Sequence, residues 1–470
     1  GHSWGDDFAQ YILHARNLAE GRPYARTEYI YNPDYPMLGP PVYPPGTSLL
    51  LAPIYSRWGL NWNAMKWVMI GCLIAWLAVL AADFRESLPF PICLVILLLL
   101  GLNNFFLNRT NVIGSDILFL VFVYGTFLFA RLGDRSEDRS AGQWVWYCAA
   151  AVSAWAGFAT RTVGAVLWPA VLIADFIQHR RIRPWQFGAT ALFLVLVVLQ
   201  SRLTLATRGY FNLLSWSPSI LVSQGIRYVV VSAAFWHNGF SHNEFFRFAA
   251  AIVAGTIWIP ALMGYAAQVY RRVSAREVFV VLYGAALAAW PCYQGFRLLY
   301  PLLPLWLLYA WQGLASPWLL RRPRIRRGLL AVLAALIICS YGSMLLTRPT
   351  GPLPEGIDRA SSQELFAAVR QYTQPEDVVV FIKPRALALL TGRACSVYHA
   401  VQNDADLWAY FRRIHARALV TVERPEAVQG TAKTELVQFL ADFAARNRSS
   451  LTPIWHNEDF TLYRIQPVPP

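Results

Sequence analysis

Two adjacent carboxylates, Asp6 and Asp7, stand just ahead of a long apolar run in a chain with only 27 acidic residues among 470. From there Phe8, Tyr11, Ile12, Ala15 and Leu18 recur at helical spacing, so the pair falls in the first turn of an amphipathic helix. One carboxylate at such a place caps the helix or complements its dipole. The second, held where desolvation raises its basicity, suits a general base acting on a hydroxyl group.

Further along, RTNVIGSD places Arg109 and Asp116 at the two ends of a short turn, and Asp116 opens a strongly apolar run. Ser115-Asp116 also reads as a plain helix cap, but an ionisable residue at the mouth of an apolar segment is a functional candidate whose partners must be found. Arg161 in ATRTVG and Arg297 in YQGFRLLYPLLP each lie between closely spaced apolar runs. Snorkelling explains either one alone. Two guanidiniums on the same side as two acids make a phosphate clamp, because the planar fork binds phosphate bidentately and stays charged. Arg208 and Arg227 lie on that side too. His237, His242 and Glu244 in HNGFSHNEF have no specific metal-ligand spacing, so no metal site is assigned there. The six cysteines (Cys72, Cys93, Cys148, Cys292, Cys339 and Cys395) are scattered singly without a CxxC pair. No Walker loop, nucleophile elbow or HExxH is present.

What must hold these residues is a membrane. The chain is 56% hydrophobic and 14% charged, a composition that a soluble domain of this length does not carry on its surface. Apolar segments at 64–82, 90–107, 115–131, 144–160, 163–178, 185–203, 246–270, 277–293, 297–316 and 328–346 give about ten spans, with a tight helical hairpin at 160–162. The net charge of +14 is nearly all arginine. It clusters at Arg131/Arg135/Arg139, His179/Arg180/Arg181/Arg183, Arg271/Arg272/Arg276 and Arg321/Arg322/Arg324/Arg326/Arg327. These clusters fall in alternate connections, as in cytoplasmic loops, and this pattern argues against nucleic acid as the partner. The same alternation puts residues 1–62, the turn at 109–115, Arg161, the 204–245 loop, the turn at 293–297 and everything after Arg348 on the outer side. Loop 204–245 is rich in aromatics and reads as interfacial, with a helix over 220–236 rather than a further crossing. From Pro349 the composition turns soluble. Expected strands at 378–382, 418–422 and 462–465 alternate with helices at 361–372, 404–415 and 434–446, which makes a small α/β domain without a phosphate-binding glycine loop.

In order and sidedness these motifs resemble those of the GT-C membrane glycosyltransferases that use polyprenyl-phosphate sugars, the superfamily of protein O-mannosyltransferases and lipid A aminoarabinose transferases. The resemblance is carried by GDDFAQYILHARNLAEGRPY, by YPPGTSLLLAPIY, by RTNVIGSDILF and by FRLLYPLLPL, and it covers most of residues 5–316. It implies an inverting transfer in which an acceptor hydroxyl attacks C1 of a lipid-phosphate-linked sugar and the lipid phosphate leaves. Asp7 matches the family's first-loop acid, four residues before Tyr11, and Asp116 matches its second acid. The family commonly has Asp-Glu where this chain has Asp6-Asp7. Arg109, Arg161 and Arg297 are expected to steady the donor phosphate, although Arg161 lies outside the matched motifs.

The expected architecture is therefore an α-helical polytopic membrane protein with a small C-terminal α/β extracytoplasmic domain. Its parts are a first outer loop at 1–62, a transmembrane region at 63–348 and a soluble domain at 349–470. Asp6, Asp7 and Asp116 are the expected catalytic acids, and Tyr11, Tyr43 and Tyr293 are expected to line substrate. The partners are the bilayer, a polyprenyl-phosphate-linked sugar and a hydroxyl acceptor. No cofactor is required, with a divalent cation left open. The expected location is a bacterial inner membrane with the site on the periplasmic side. A polar start without Met implies a preceding segment, including a first span. The competing readings are a transporter or flippase for a lipid-linked sugar, against which stands the lack of an internal repeat, and a non-catalytic assembly partner.

Overall fold

The computed structural model describes residues 2–138, 140–204, 214–238, 244–316, 320–347, 356–399, 401, 403–428 and 434–466. The chain opens with α1 (Asp7–Ala19), a two-residue strand β1 (Tyr29–Ile30) and α2 (Gly46–Trp58). A helical region follows: α3 (Trp62–Phe84), α4 (Phe90–Gly101), α5 (Asn104–Thr110), α6 (Asp116–Arg135), α7 (Ala141–Thr160), α8 (Leu167–His179), α9 (Pro184–Thr204), α10 (Pro218–Val231), α11 (Ala234–His237), α12 (Glu244–Arg271), α13 (Ala275–Ala288), α14 (Leu303–Leu314) and α15 (Pro323–Thr347). Large apolar side chains such as Trp67, Phe90, Phe187 and Ile338 stand outward, while Asp83, Asp175, Arg183 and Glu277 are buried between helices. Apolar outside with paired charges inside is the arrangement a bilayer imposes, and the chain is an integral membrane protein of mostly helical class.

Seven described helical segments are long and apolar enough to cross, and eight if the pair α4 and α5, bent by 58°, counts as one. Of the roughly ten apolar runs expected to span, three are interrupted by local chemistry. The 90–107 run breaks because the Asn103 side chain accepts from Phe105 N and starts a new helix, while its amide donates to the Tyr341 hydroxyl. The 277–293 run is helical for only 14 residues, about 21 Å. The 297–316 run begins as a 3₁₀ turn, Gly295–Leu299, and is α-helical only over the 12 residues of α14, about 18 Å, because Pro301 and Pro304 remove backbone donors. In the 204–245 loop, the helical segment Pro218–His237 meets the same length and apolarity standard as the crossing helices. Composition there did not separate an interfacial helix from a span. The hairpin at 160–162 forms: α7 ends at Thr160, and a 3₁₀ turn, Thr162–Val166, leads into α8.

Three of the four arginine-rich connections gather at one end of the bundle. Arg276 donates to the buried Asp83 carboxylate, Arg131 lies 3.5 Å from it, Arg183 pairs with buried Asp175, and Arg272 reaches Asp134 at 3.2 Å. Arg139 lies outside the described residues. Helix α6, 20 residues or about 30 Å long, runs from Asp116 at the opposite end to Arg135 at this one.

The C-terminal part contains α16 (Ala360–Tyr372), β2 (Val378–Val380), α17 (Pro384–Thr391), β3 (Ala394–Ser396), α18 (Asp404–Arg413), β4 (Ala416–Val422), α19 (Thr434–Arg446), β5 (Leu451–His456) and β6 (Phe460–Ile465). The sheet order is β1-β3-β2-β4-β6-β5, parallel from β1 to β4 and antiparallel through β6 and β5. Its edge strand β1 comes from the first outer loop, pairing Tyr29 with Cys395 and Ile30 with Ser396. The loop and the C-terminal part therefore share one sheet.

Helices α12 and α14 pack backbone to backbone. A Cβ on Gly264 would lie 2.0 Å from the Tyr309 carbonyl oxygen, and one on Gly313 would lie 1.9 Å from that of Pro260. Gly313→Ala is expected to force the helices apart at a cost of about 1–3 kcal/mol, seen as a lower thermal midpoint in detergent. Gly284→Ala in α13, with nothing within 4 Å of its added Cβ, should hold or raise that midpoint. Equal behaviour of the two variants would refute the close packing.

Candidate functional site

Asp7 opens α1, and its side chain is 41% exposed. Its Oδ1 accepts from the Tyr43 hydroxyl at 2.7 Å, and its Oδ2 accepts from Arg297 Nη1 at 3.2 Å. Asp116 opens α6 and is only 6% exposed; it is paired with Arg161, with Arg297 at 3.3 Å and with Arg109 at 3.8 Å. Arg297 thus bridges the two acids. The 3₁₀ turn that carries it is fixed by the Tyr283 hydroxyl of α13, which donates to the Leu298 carbonyl at 2.9 Å. Just beyond the turn, the Tyr124 hydroxyl of α6 donates to the Pro301 carbonyl at 2.8 Å. Arg109 donates to the Tyr300 hydroxyl at 3.3 Å. Tyr11, one turn after Asp7, donates to Ser115 Oγ at 2.9 Å and so joins α1 to the start of α6.

The third layer of the site comes from the C-terminal part. Arg385, in the first turn of α17, is fully buried, with its guanidinium 4.6 Å and 4.8 Å from the ring centres of Tyr29 and Tyr43. It donates to the Tyr43 hydroxyl and lies 3.5 Å from Asp7 and 3.7 Å from Asp6. Tyr43 is held from behind by His14: burial pushes that imidazole down to about 4, so it is neutral. Its Nδ1 donates to the Tyr24 carbonyl and its Nε2 accepts from Tyr43 N.

Two expectations change. Asp6 makes no side-chain bond to α1; its Oδ1 accepts from Arg385 N at 3.1 Å and Ala386 N at 3.2 Å, so it caps α17 instead. The basicity of Asp7 is lowered, not raised. Burial does push its carboxyl up, but the guanidiniums of Arg297 and Arg385 and the Tyr43 hydrogen bond outweigh it and hold the group below the usual carboxylate range. Tyr11, raised to about 12 by burial and by the charge of Asp7, stays a phenol.

Four guanidiniums (Arg109, Arg161, Arg297, Arg385) and three carboxylates (Asp6, Asp7, Asp116) therefore meet in one cluster, which leaves one positive charge.

Neither a family model nor a curated protein matches this sequence. Solved structures do match it. The chain aligns over 98% of its length with 94% of ArnT from Cupriavidus metallidurans bound to undecaprenyl phosphate, at 11% identity and a TM-score of 0.58. It aligns over 90% of its length with 66% of the oligosaccharyltransferase AglB from Archaeoglobus fulgidus in complex with an inhibitory peptide and a dolichol-phosphate, at 12% identity and 0.57. Over 99% of its length it matches 40% of the arabinofuranosyltransferase AftD from Mycobacteria, at 13% identity and 0.52. The chain has the GT-C fold. At these identities the likeness is one of architecture.

On this GT-C frame the structure brings together Asp7, Asp116, Arg109, Arg161, Arg297, Tyr11 and Tyr43. Tyr43 is buried, with its hydroxyl between Asp7 and Arg385. Tyr293, 43% exposed, sits with Tyr228 and under the Arg227 guanidinium at 5.9 Å, apart from the carboxylates. Arg208 and His242 lie outside the described residues. Among the described residues no group of three His, Cys, Asp or Glu is placed to hold a metal ion. Sequence reading missed Arg385 and His14. A signal for Arg385 existed in KPRALALL, where a cation opens an apolar helix against the sign of the helix dipole and so requires an acidic partner.

Asp116→Asn would leave Arg161 and Arg297 poorly compensated in a largely buried setting, at a cost of about 3 kcal/mol or more. Asp7→Asn removes a half-exposed partner and should cost about 1 kcal/mol or less. Thermal unfolding of the two variants in detergent is expected to show the much larger drop for Asp116→Asn, and the reverse order would contradict this charge arrangement.

Proposed function

We propose that the chain is an integral-membrane glycosyltransferase that moves a sugar from a polyprenyl-phosphate donor to a hydroxyl acceptor with inversion at C1. The observation that carries this reading is the cluster's single excess guanidinium charge beside one half-exposed carboxylate. A lipid-phosphate sugar is a phosphodiester with one negative charge, which balances that excess. The structural neighbours solved with undecaprenyl phosphate and with a dolichol-phosphate support the same donor class.

In this reading Arg297, Arg161 and Arg109 hold the donor phosphate, and the guanidiniums supply the neutralising charge. The acceptor oxygen attacks C1 from the face opposite the phosphate, a C–O bond forms, and the C1–O bond to phosphate breaks with its electron pair leaving on the phosphate. The acceptor's proton passes to Asp7. The leaving phosphate gains one negative charge as Asp7 loses its own, so the neutrality of the loaded site is kept through the step. A phosphate on Arg297 also draws that cation from Asp7 Oδ2. The carboxylate regains basicity only when the donor is in place. Asp116, more deeply buried, stays with the arginines and positions them.

The site lies at the end of the bundle opposite the arginine-rich connections. By the positive-inside rule this supports transfer on the extracytoplasmic side, the periplasmic face of the inner membrane in a bacterial cell. We treat 1–62 and 349–470 as one outer module joined by the shared sheet, carried on the membrane region 63–348. Its outer surface is where the acceptor's remainder would rest.

With a pool of polyprenyl-phosphate sugars as donors, Asp7→Asn is expected to lower transfer by 10²-fold or more while keeping polyprenyl phosphate bound in native mass spectrometry. Arg297→Ala should weaken both. Undiminished transfer by Asp7→Asn would remove Asp7 as the base.

A further inference from the structure

Asp7 divides its two oxygens between different parts of the molecule. Oδ2 faces Arg297, the cation that a donor phosphate would engage. Oδ1 faces Tyr43 and Arg385, neither of which is placed to follow the phosphate: Arg385 is fully buried between two tyrosine rings and also donates to the Gly39 carbonyl at 3.2 Å. One oxygen is thus free to change partner while the other is clamped. The clamp originates in α17, in the C-terminal part, and the helix carrying it is itself capped by Asp6, the residue next to Asp7.

We infer that Arg385 is a positioning residue for the transfer reaction, fixing Oδ1 of Asp7 through Tyr43 so that Oδ2 is the atom that receives the acceptor's proton, and that docking of the C-terminal part against the first outer loop is thereby a condition of turnover. The inference rests on the proposed transferase reading. Arg385 is held by α17, so any loosening of the β1–β3 pairing or of the Asp6 cap withdraws a cation from Asp7 and a hydrogen bond from the Tyr43 hydroxyl together. The other groups facing Asp7 are Arg297 from the 3₁₀ turn, with Asp116 behind it, and its own helix neighbour Tyr11. Asp6 faces Arg385 from the other side. Of the two cations, Arg297 is the one a phosphate can titrate away; Arg385 sets the level to which Asp7 then returns.

The sign follows from the charges. Removing a guanidinium 3.5 Å away favours the protonated carboxyl, so Asp7 should protonate at higher pH. The test is the pH dependence of Asp7 amidation by a water-soluble carbodiimide and glycine ethyl ester, read by peptide mass spectrometry on the full-length protein in detergent, alongside the pH profile of kcat/KM for the acceptor. In Arg385→Gln both the labelling midpoint and the acid limb of the profile are expected to rise by about 1 pH unit. Arg385→Lys, which keeps the charge but not the fork, should hold the acid limb near that of wild type with a lower kcat. Tyr43→Phe, which leaves the Arg385 charge and the Asp6 cap in place, should raise the labelling midpoint by a smaller amount, and it decides the matter if Arg385→Gln does not fold. A merely structural Arg385 predicts lower rates at every pH with the midpoint and acid limb unmoved, and that result in the folded variants overturns the inference. A shifted labelling midpoint with no transfer from any polyprenyl-phosphate sugar, wild type included, would instead strike the transferase reading and leave the Arg385–Asp7 coupling standing.

Discussion

One guanidinium, that of Arg297, is shared by two carboxylates that lie more than a hundred residues apart in the chain, and the outer end of the molecule is arranged so that this sharing is possible. Asp7 and Asp116 each open a helix, where a carboxylate complements the dipole and points beyond the helix end. Arg297 sits on a 3₁₀ turn ahead of a proline-started helix, with the carbonyls at and just after the turn taken up by Tyr283 and Tyr124. The turn lies in the connection between the short α13 and α14.

The opposite end is closed by a second set of buried ion pairs, Asp83 with Arg276 and Arg131, and Asp175 with Arg183. Gln186 and Tyr147 take further places in the Asp175–Arg183 network, and Arg131 also pairs with Glu86. The outer cluster differs in exposure: the Asp7 side chain is 41% exposed, whereas Asp83 and Asp175 are buried. Both ends use the same residue types, so exposure, not residue identity, separates the end closed around its ion pairs from the end with an accessible carboxylate.

Much of this was legible in the sequence because a membrane makes ionisable residues conspicuous. Asp7, Asp116, Arg161 and Arg297 stood out as charges at the borders of apolar runs, and the arginine clusters indicated which borders shared a side. What was not legible depends on contacts between distant segments. Nothing local to Asp6 says that it caps a helix beginning at Pro384, and nothing local to Tyr29 and Ile30 says that they complete a sheet whose other strands begin at Val378. The strands Ala394–Ser396 and Leu451–His456 escaped for a similar reason: the first is three residues long, and the second contains Pro453 at a register shift. The sign of the Asp7 shift was misjudged because burial was visible in the sequence, whereas the approach of Arg297 and Arg385 to this carboxyl was not.

That sign bears on how a catalytic cycle at this site would end. With donor bound, the cluster and its phosphodiester are neutral; after transfer, a protonated Asp7 faces a phosphate carrying the extra charge, and the sum is unchanged. Such a pair would be stable where it forms, since Arg297, Arg161 and Arg109 would be engaged by the phosphate. If the lipid phosphate departs as a dianion, it leaves behind two uncompensated positive charges, and Arg297 and Arg385 then force Asp7 to give up its proton to solvent, as its lowered pKa in the empty site requires. Proton release and product release are then one event, driven by the arginines that bound the substrate. In the proposed cycle the exposure of Asp7 would serve both halves, admitting the acceptor hydroxyl and releasing the proton.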